Sequence, residues 1–187
     1  MESEYPPWKQ CKEPVLPRVP LVDTNSPDVK PLADRIAAER GSVLDLYKML
    51  LHSPAVAEGW LHYLTAIRQK CSLAGQLREL VVMRIATLNR AAYEAEQHLP
   101  YALREGLTRE QLSELARWEV SSLFSSLQRV VLAYTDCMTR EIQVSDEVFV
   151  AVRQHFNDRE LVELTATISA YNMVSRFLEA LAIHAQH

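Results

Sequence analysis

Glycine is scarce in this chain: 4 among 187 residues, and no alternating β-branched run stands between turn signals. Without that punctuation a hairpin-rich sheet protein is excluded. Cysteine is scarce as well. Cys11, Cys71 and Cys137 form an odd set with no CxxC or CxC pair, which rules against a disulfide framework and points to free thiols in a reducing, cytoplasmic compartment. No apolar run approaches the roughly 18 residues of a membrane span. The opening MESEYPPWKQ is acidic and proline-bearing, unlike a signal peptide. Basic tracts interleaved with aromatics are missing and the net charge is -4, so nucleic acid is not an expected partner. HExxH, a second Glu-x-x-His pair and GxSxG are all absent; no metal, no cofactor and no serine nucleophile are expected.

What is present falls into two parts. Seven of the 9 prolines lie at or before Pro31. Each removes a backbone donor and restrains its predecessor to extended geometry, so residues 1–30 are expected to form an arm rather than a helix. Trp8, Val15, Leu16, Val19, Leu21 and Val22 give that arm apolar side chains to pack on the domain or on a neighbouring subunit.

From residue 31 to 187 the signal is helical throughout, and the fold class is all-α. PLADRIAAER opens with proline and stops at Gly41; Ser53 and Pro54 open the next long segment. GQLRELVVMRIATLNR is apolar around most of its circumference and is expected at the centre. AAYEAEQHLPYALREG ends at Gly106, and Thr108 with Gln111 has capping-box spacing. VSSLFSSLQRVVLAYTDCMTREI, SDEVFVAVRQHF and a final segment of about 25 residues complete the helices.

One polar constellation stands out. Glu79 has Val82, Met83 and Ala86 as same-face neighbours, so its carboxylate points toward apolar surface. Burial would raise its pKa unless a cation or donor sits close. Glu94 and His98 are one helical turn apart among small residues, with Tyr93 and Tyr101 able to supply hydroxyls. A buried acid beside an imidazole can act as a general acid/base pair near neutral pH. An exposed i,i+4 pair that only steadies its helix fits the same spacing. Arg84 and Arg90 are candidates to hold a substrate carboxylate, although a structural ion pair is the simpler reading of Arg84.

The stretch LRELVVMRIATLNRAAYEAEQHLPYALREGLTREQL, with R-E-L, an apolar helix, L-N and E-x-x-x-H in order, resembles the core of the carboxymuconolactone decarboxylase and AhpD-like family. LYKMLLHSPAVAEGW and AYNMVSRFLEAL are similar to segments of its peroxidase-related and decarboxylase-like members. The resemblance implies an all-helical homo-oligomer (dimer, trimer or hexamer) with its pocket between helices. In the hydroperoxidase branch a glutamate, a CxxC pair and a histidine act together. They map onto Glu79, Ala91 with Glu94, and His98, so both thiols are missing. The decarboxylase branch implies cofactor-free chemistry on a small carboxylate or lactone. His98 would be the acid/base, Glu94 its orienting partner and Glu79 a second proton carrier or tautomer-fixing group. A peroxidase working through Cys71 or Cys137, and a non-catalytic binding protein on the same fold, are the alternatives.

Overall fold

The computed structural model describes residues 16–184. Among the described residues all regular structure is helical, as the scarcity of strand signals requires. α1 spans Lys30–Arg40, α2 Asp45–Leu50 and α3 Pro54–Thr65, the last running into a π-helical turn over Ala66–Lys70. α4 (Gly75–Asn89) and α5 (Ala92–Arg104) follow, then α6 (Arg109–Glu114) with a 3-10 turn at Leu115–Arg117. α7 (Ser126–Arg140), α8 (Asp146–Arg153) and α9 (Asp158–Ala180) close the chain.

Helix ends follow local chemistry. α1 stops at Gly41, whose φ of 85° is a left-handed conformation that costs glycine nothing. Gly106, at φ 95°, makes the same kind of exit just past α5. Thr108 and Gln111 exchange side-chain and backbone hydrogen bonds in a full capping box, and Ser125 with Gln128 does the same for α7. The second box explains a difference from the sequence reading. Residues 120–125 are not helical, because Ser125 is the cap and not an interior residue, and the Ser121 hydroxyl accepts from the Leu123 amide.

α4 is the central element, packed on α5, α7 and α9. Residues from Leu80 to Ala86 are all buried, so no solvent face remains. Each fully buried Leu, Val or Ile there contributes about 1.5–3 kcal/mol through removal from water. Its last residue, Asn89, donates to Asn172 Oδ1 (3.1 Å) and Ser175 Oγ (2.6 Å), while Asn172 donates to Thr139 Oγ1 (2.9 Å). This buried knot fixes the end of α4 against α7 and α9, since any slip would strand polar groups.

The described part of the N-terminal segment crosses α2 and the end of α9. The Arg18 amide donates to the Leu181 carbonyl (2.9 Å) and Val22 to that of Lys48 (3.3 Å). His52 Nε2 bonds the Pro20 carbonyl at 2.7 Å, and Val19, Leu21 and Val22 pack on the core. Residues 1–15, with Trp8, Cys11 and Val15, lie outside the described residues.

Candidate active site

α4 and α5 form an antiparallel pair of neighbours, and a cavity of about 480 Å³ opens beside them. Glu79 enters it from the first turn and a half of α4. Tyr93, Glu94, His98 and Tyr101 enter from one face of α5. α9 supplies Tyr171, α3 supplies Trp60, and the π-helical turn supplies Arg68. That turn holds one residue more than an α-turn: the Cys71 amide donates to the Ala66 carbonyl five residues back, at 3.2 Å.

The central contact is between helices. His98 Nδ1 lies 2.8 Å from Glu79 Oε2, with the glutamate 1% and the histidine 8% exposed. The other carboxylate oxygen of Glu79 accepts from Arg78 Nε at 3.1 Å. Burial alone would push the Glu79 carboxyl up, but the hydrogen bond and charge of His98, with Arg78 behind them, outweigh it. The carboxyl is held below its ordinary range. Glu79 therefore stays ionised, fixes the imidazole proton on Nδ1 and leaves Nε2 as the nitrogen that can exchange a proton. His98 also sets its ring edge-on to Tyr171, centroids 5.1 Å apart.

Glu94 has a different role from the one its spacing suggests. Among the described residues neither of its oxygens has a hydrogen-bond partner, and it is 2% exposed. The orienting partner of His98 is Glu79, from the neighbouring helix, not Glu94 from its own. Glu94 sits instead with Glu179 nearby, and burial first, then that like charge, push its carboxyl well above the ordinary range. Its protonated form is therefore favoured more than that of an ordinary glutamate.

The two predicted tyrosines line the cavity, but with different environments. Burial and the Asp45 charge push the Tyr93 hydroxyl up to about 12, against backbone hydrogen bonds at Leu46 and Asp45 that pull it down. Tyr101 has the Arg68 guanidinium 5.1 Å from its ring centroid and that of Arg104 at 5.0 Å.

The two predicted anion-binding arginines lie elsewhere. Arg84 is 1% exposed and bonds Asp136 through two nitrogens, Nε at 2.6 Å and a terminal nitrogen at 2.5 Å. Its other terminal nitrogen donates to the Leu115 carbonyl at 2.5 Å. This guanidinium pins α4 to α7 and the 3-10 turn and does not line the cavity. Arg90 is the exposed, left-handed residue that ends α4, at φ 56°, away from the cavity lining. The arginines that do reach the cavity are Arg40, Arg68, Arg78 and Arg104. Sequence reasoning missed Arg68, because nothing in AIRQK marks the switch to π geometry. Trp60 and Tyr171 were also missed, since a buried aromatic at helical spacing reads as core.

Neither Cys71 nor Cys137 lines the cavity, and Cys11 lies outside the described residues. Among the described residues there is no group of three or more His, Cys, Asp or Glu able to hold a metal ion.

Residues 54–136 match the carboxymuconolactone decarboxylase family. The uncharacterized protein YnjA of Escherichia coli K12 is 32% identical over 130 residues, covering 68% of this chain and 68% of its own. An uncharacterized peroxidase-related protein from Ralstonia eutropha JMP134, an alkylhydroperoxidase AhpD core, matches with a TM-score of 0.78 at 17% identity, over 93% of this chain and 94% of that one. A second peroxidase-related protein, from Silicibacter sp. TM1040, gives 0.75 at 18% identity, over 92% and 93%. At such identities the structural likeness speaks for the fold alone. The sequence match runs from the start of α3 into α7 and takes in both helices that meet at Glu79 and His98: the chain belongs to the carboxymuconolactone decarboxylase family.

Proposed function

We propose that this protein is a cofactor-independent acid/base enzyme, of decarboxylation or isomerisation type, acting on a small organic acid or lactone. The observation that carries this reading is the buried His98–Glu79 bond of 2.8 Å on the wall of a cavity of substrate size. With Nδ1 held by an ionised carboxylate, Nε2 can take up a proton from water and pass it to the carbon that gains an electron pair as carbon dioxide departs, or take one from one carbon of an isomerising substrate and return it to another. The family supplies the substrate class; Glu79 and His98 supply the proton handling.

A thiol peroxidase is the other reading, prompted by the peroxidase-related neighbours. It is disfavoured because the two positions a CxxC pair would occupy hold Ala91 and Glu94. A homo-oligomer is the expected assembly by family resemblance, and sedimentation velocity reads it directly.

The test is proton exchange into carboxylated lactones and oxo acids in heavy water, followed by NMR together with carbon dioxide release. His98→Ala should reduce turnover by about 100-fold or more while leaving the circular dichroism unchanged. Undiminished turnover in that variant would remove the histidine from the mechanism. Thiol-dependent peroxide consumption that disappears in Cys71→Ser or Cys137→Ser would favour the peroxidase instead.

A further inference from the structure

The cavity carries polar atoms that the Glu79–His98 pair does not use. Glu94, Tyr171 and Trp60 bring them from α5, α9 and α3, and these side chains are exposed by only 2%, 1% and 9%. Among the described residues both Glu94 oxygens, the Tyr171 hydroxyl and the Trp60 indole nitrogen have no hydrogen-bond partner. Natural interiors leave few such atoms unsatisfied, and three side chains that line one cavity in this state point to a ligand.

The set is mixed, and the mixture narrows the ligand. The indole nitrogen can only donate, and the Tyr171 hydroxyl donates to any acceptor brought to it. Glu94, with or without a proton, keeps an oxygen that can only accept. Burial raises the Tyr171 hydroxyl, the Arg68 guanidinium pulls against that rise, and Glu79 and Glu94 add to it. An acidic acceptor and a guanidinium thus act on one phenol. Arg78 and Arg104 are tied to Glu79 and Glu105. Arg68 rests on the Tyr101 ring instead and has no carboxylate partner of that kind among the described residues. A ligand carrying both signs of charge answers all of these groups. The rest of the lining includes Leu44, Leu46, Leu64, Val174 and Leu178, which suit an apolar side chain.

We propose that the cavity is a binding site for an α-amino acid with an apolar side chain, its ammonium donating to Glu94 and its carboxylate accepting from Tyr171 and Arg68. An ammonium at hydrogen-bond distance favours the ionised carboxylate. Glu94 therefore gains its charge together with its counter-ion, and neither is left alone in a dry place. A plain carboxylic acid would leave Glu94 unsatisfied, and a plain amine would leave Tyr171 and Arg68 so. The inference also gives a task to the glutamate that stands where a CxxC pair would place its second thiol. It goes beyond the acid/base reading and does not depend on it, because binding is read without turnover.

The experiment is titration calorimetry on the full chain with L-leucine, against 4-methylpentanoate, which lacks the ammonium, and 3-methylbutylamine, which lacks the carboxylate. Leucine should bind, and each analogue should bind about tenfold more weakly or worse. Glu94→Gln keeps the size of the side chain and loses its charge, and should bring leucine down to the level of 4-methylpentanoate. Arg68→Met should weaken leucine by about tenfold or more, and it decides the matter alone if Glu94→Gln unfolds. Failure of leucine to bind the wild-type chain at millimolar concentration, 4-methylpentanoate binding as tightly as leucine, or a folded Glu94→Gln or Arg68→Met variant that binds leucine like wild type would each overturn the inference. Turnover in His98→Ala tests the acid/base reading and leucine affinity tests this one, so either can fail without the other.

Discussion

Cutting Arg84 back to methionine isolates what that arginine does. Its guanidinium meets Asp136 at 2.6 and 2.5 Å and the Leu115 carbonyl at 2.5 Å, in an environment where it is 1% exposed. Removing it leaves Asp136 with Trp118 Nε1 at 3.2 Å and the half-exposed Arg140 at 3.8 Å, and leaves the Leu115 carbonyl without this donor. Breaking one side of a buried pair costs about 3–5 kcal/mol, because a charge is stranded away from water. For a domain of this size, at about 2–4 °C per kcal/mol, the melting temperature should fall by roughly 6–20 °C. Replacing both partners, Arg84→Met with Asp136→Leu, removes the stranded charge. It should recover stability to within about 1–3 kcal/mol of wild type, the remainder being the unpaired Leu115 carbonyl and the Trp118 indole that loses its acceptor. Urea unfolding followed by circular dichroism reads all three variants. A single variant that loses under about 1 kcal/mol, or a double variant no more stable than the single, would refute the reasoning. A carboxylate-binding arginine would behave in the opposite way, losing ligand and keeping stability.

Other perturbations act on the cavity itself. Glu79→Gln removes the carboxylate that fixes the His98 proton on Nδ1; turnover should fall by about 100-fold or more, and restored activity in Glu79→Asp would support orientation over packing. The same carboxyl is ionised below its ordinary 4.5, so its contribution to stability is present above that value and is lost as pH falls through the lower folded-state value; in Glu79→Gln the acid limb of the stability curve should flatten. Glu94 has the opposite sign. Raised well above 4.5 by burial, it binds a proton in the folded chain that the unfolded chain has released. Stability should decline as pH climbs from its ordinary value toward the raised one. Glu94→Gln should abolish that decline, raise the melting temperature at pH 7, and remove a protonated-carboxyl band from the infrared spectrum. Installing Ala91→Cys with Glu94→Cys should raise thiol-dependent peroxide consumption above the wild-type level, peroxide oxidising the dithiol to a disulfide and an added dithiol reducing it back; no gain in a folded variant would argue that more than the two thiols separates the branches.

The helical fold was legible because its signals are local. Gly41, Gly106 and the Thr108–Gln111 box mark ends within a few residues of their effects. The all-round apolar character of α4 likewise announces a central helix. The site was legible only in part, and the reason is distance. Glu94 and His98 are neighbours by helical period, so the sequence pairs them, yet the imidazole bonds Glu79, 19 residues away on another helix. Arg84 finds Asp136 52 residues on, a partner no periodicity indicates. Arg68 depends on one extra residue in a turn. Each of these is a tertiary choice between side chains that look alike in one dimension.

Position 94 ties these observations together. Beside a glutamate–histidine pair, a thiol would be drawn toward its ionised form by the imidazolium and would become a nucleophile that passes electrons. A carboxyl in the same dry place responds to the opposite force. With no hydrogen-bond partner among the described residues, burial favours its protonated form, in which it can offer a hydrogen bond or a proton but no electrons. The pair formed by Glu79 and His98 is indifferent to which neighbour it serves, since its geometry requires only that Nδ1 be held and Nε2 be free. On the proposed function, the side chains at positions 91 and 94 decide whether the same proton relay serves peroxide or a carbonyl, and in this chain they are alanine and glutamate.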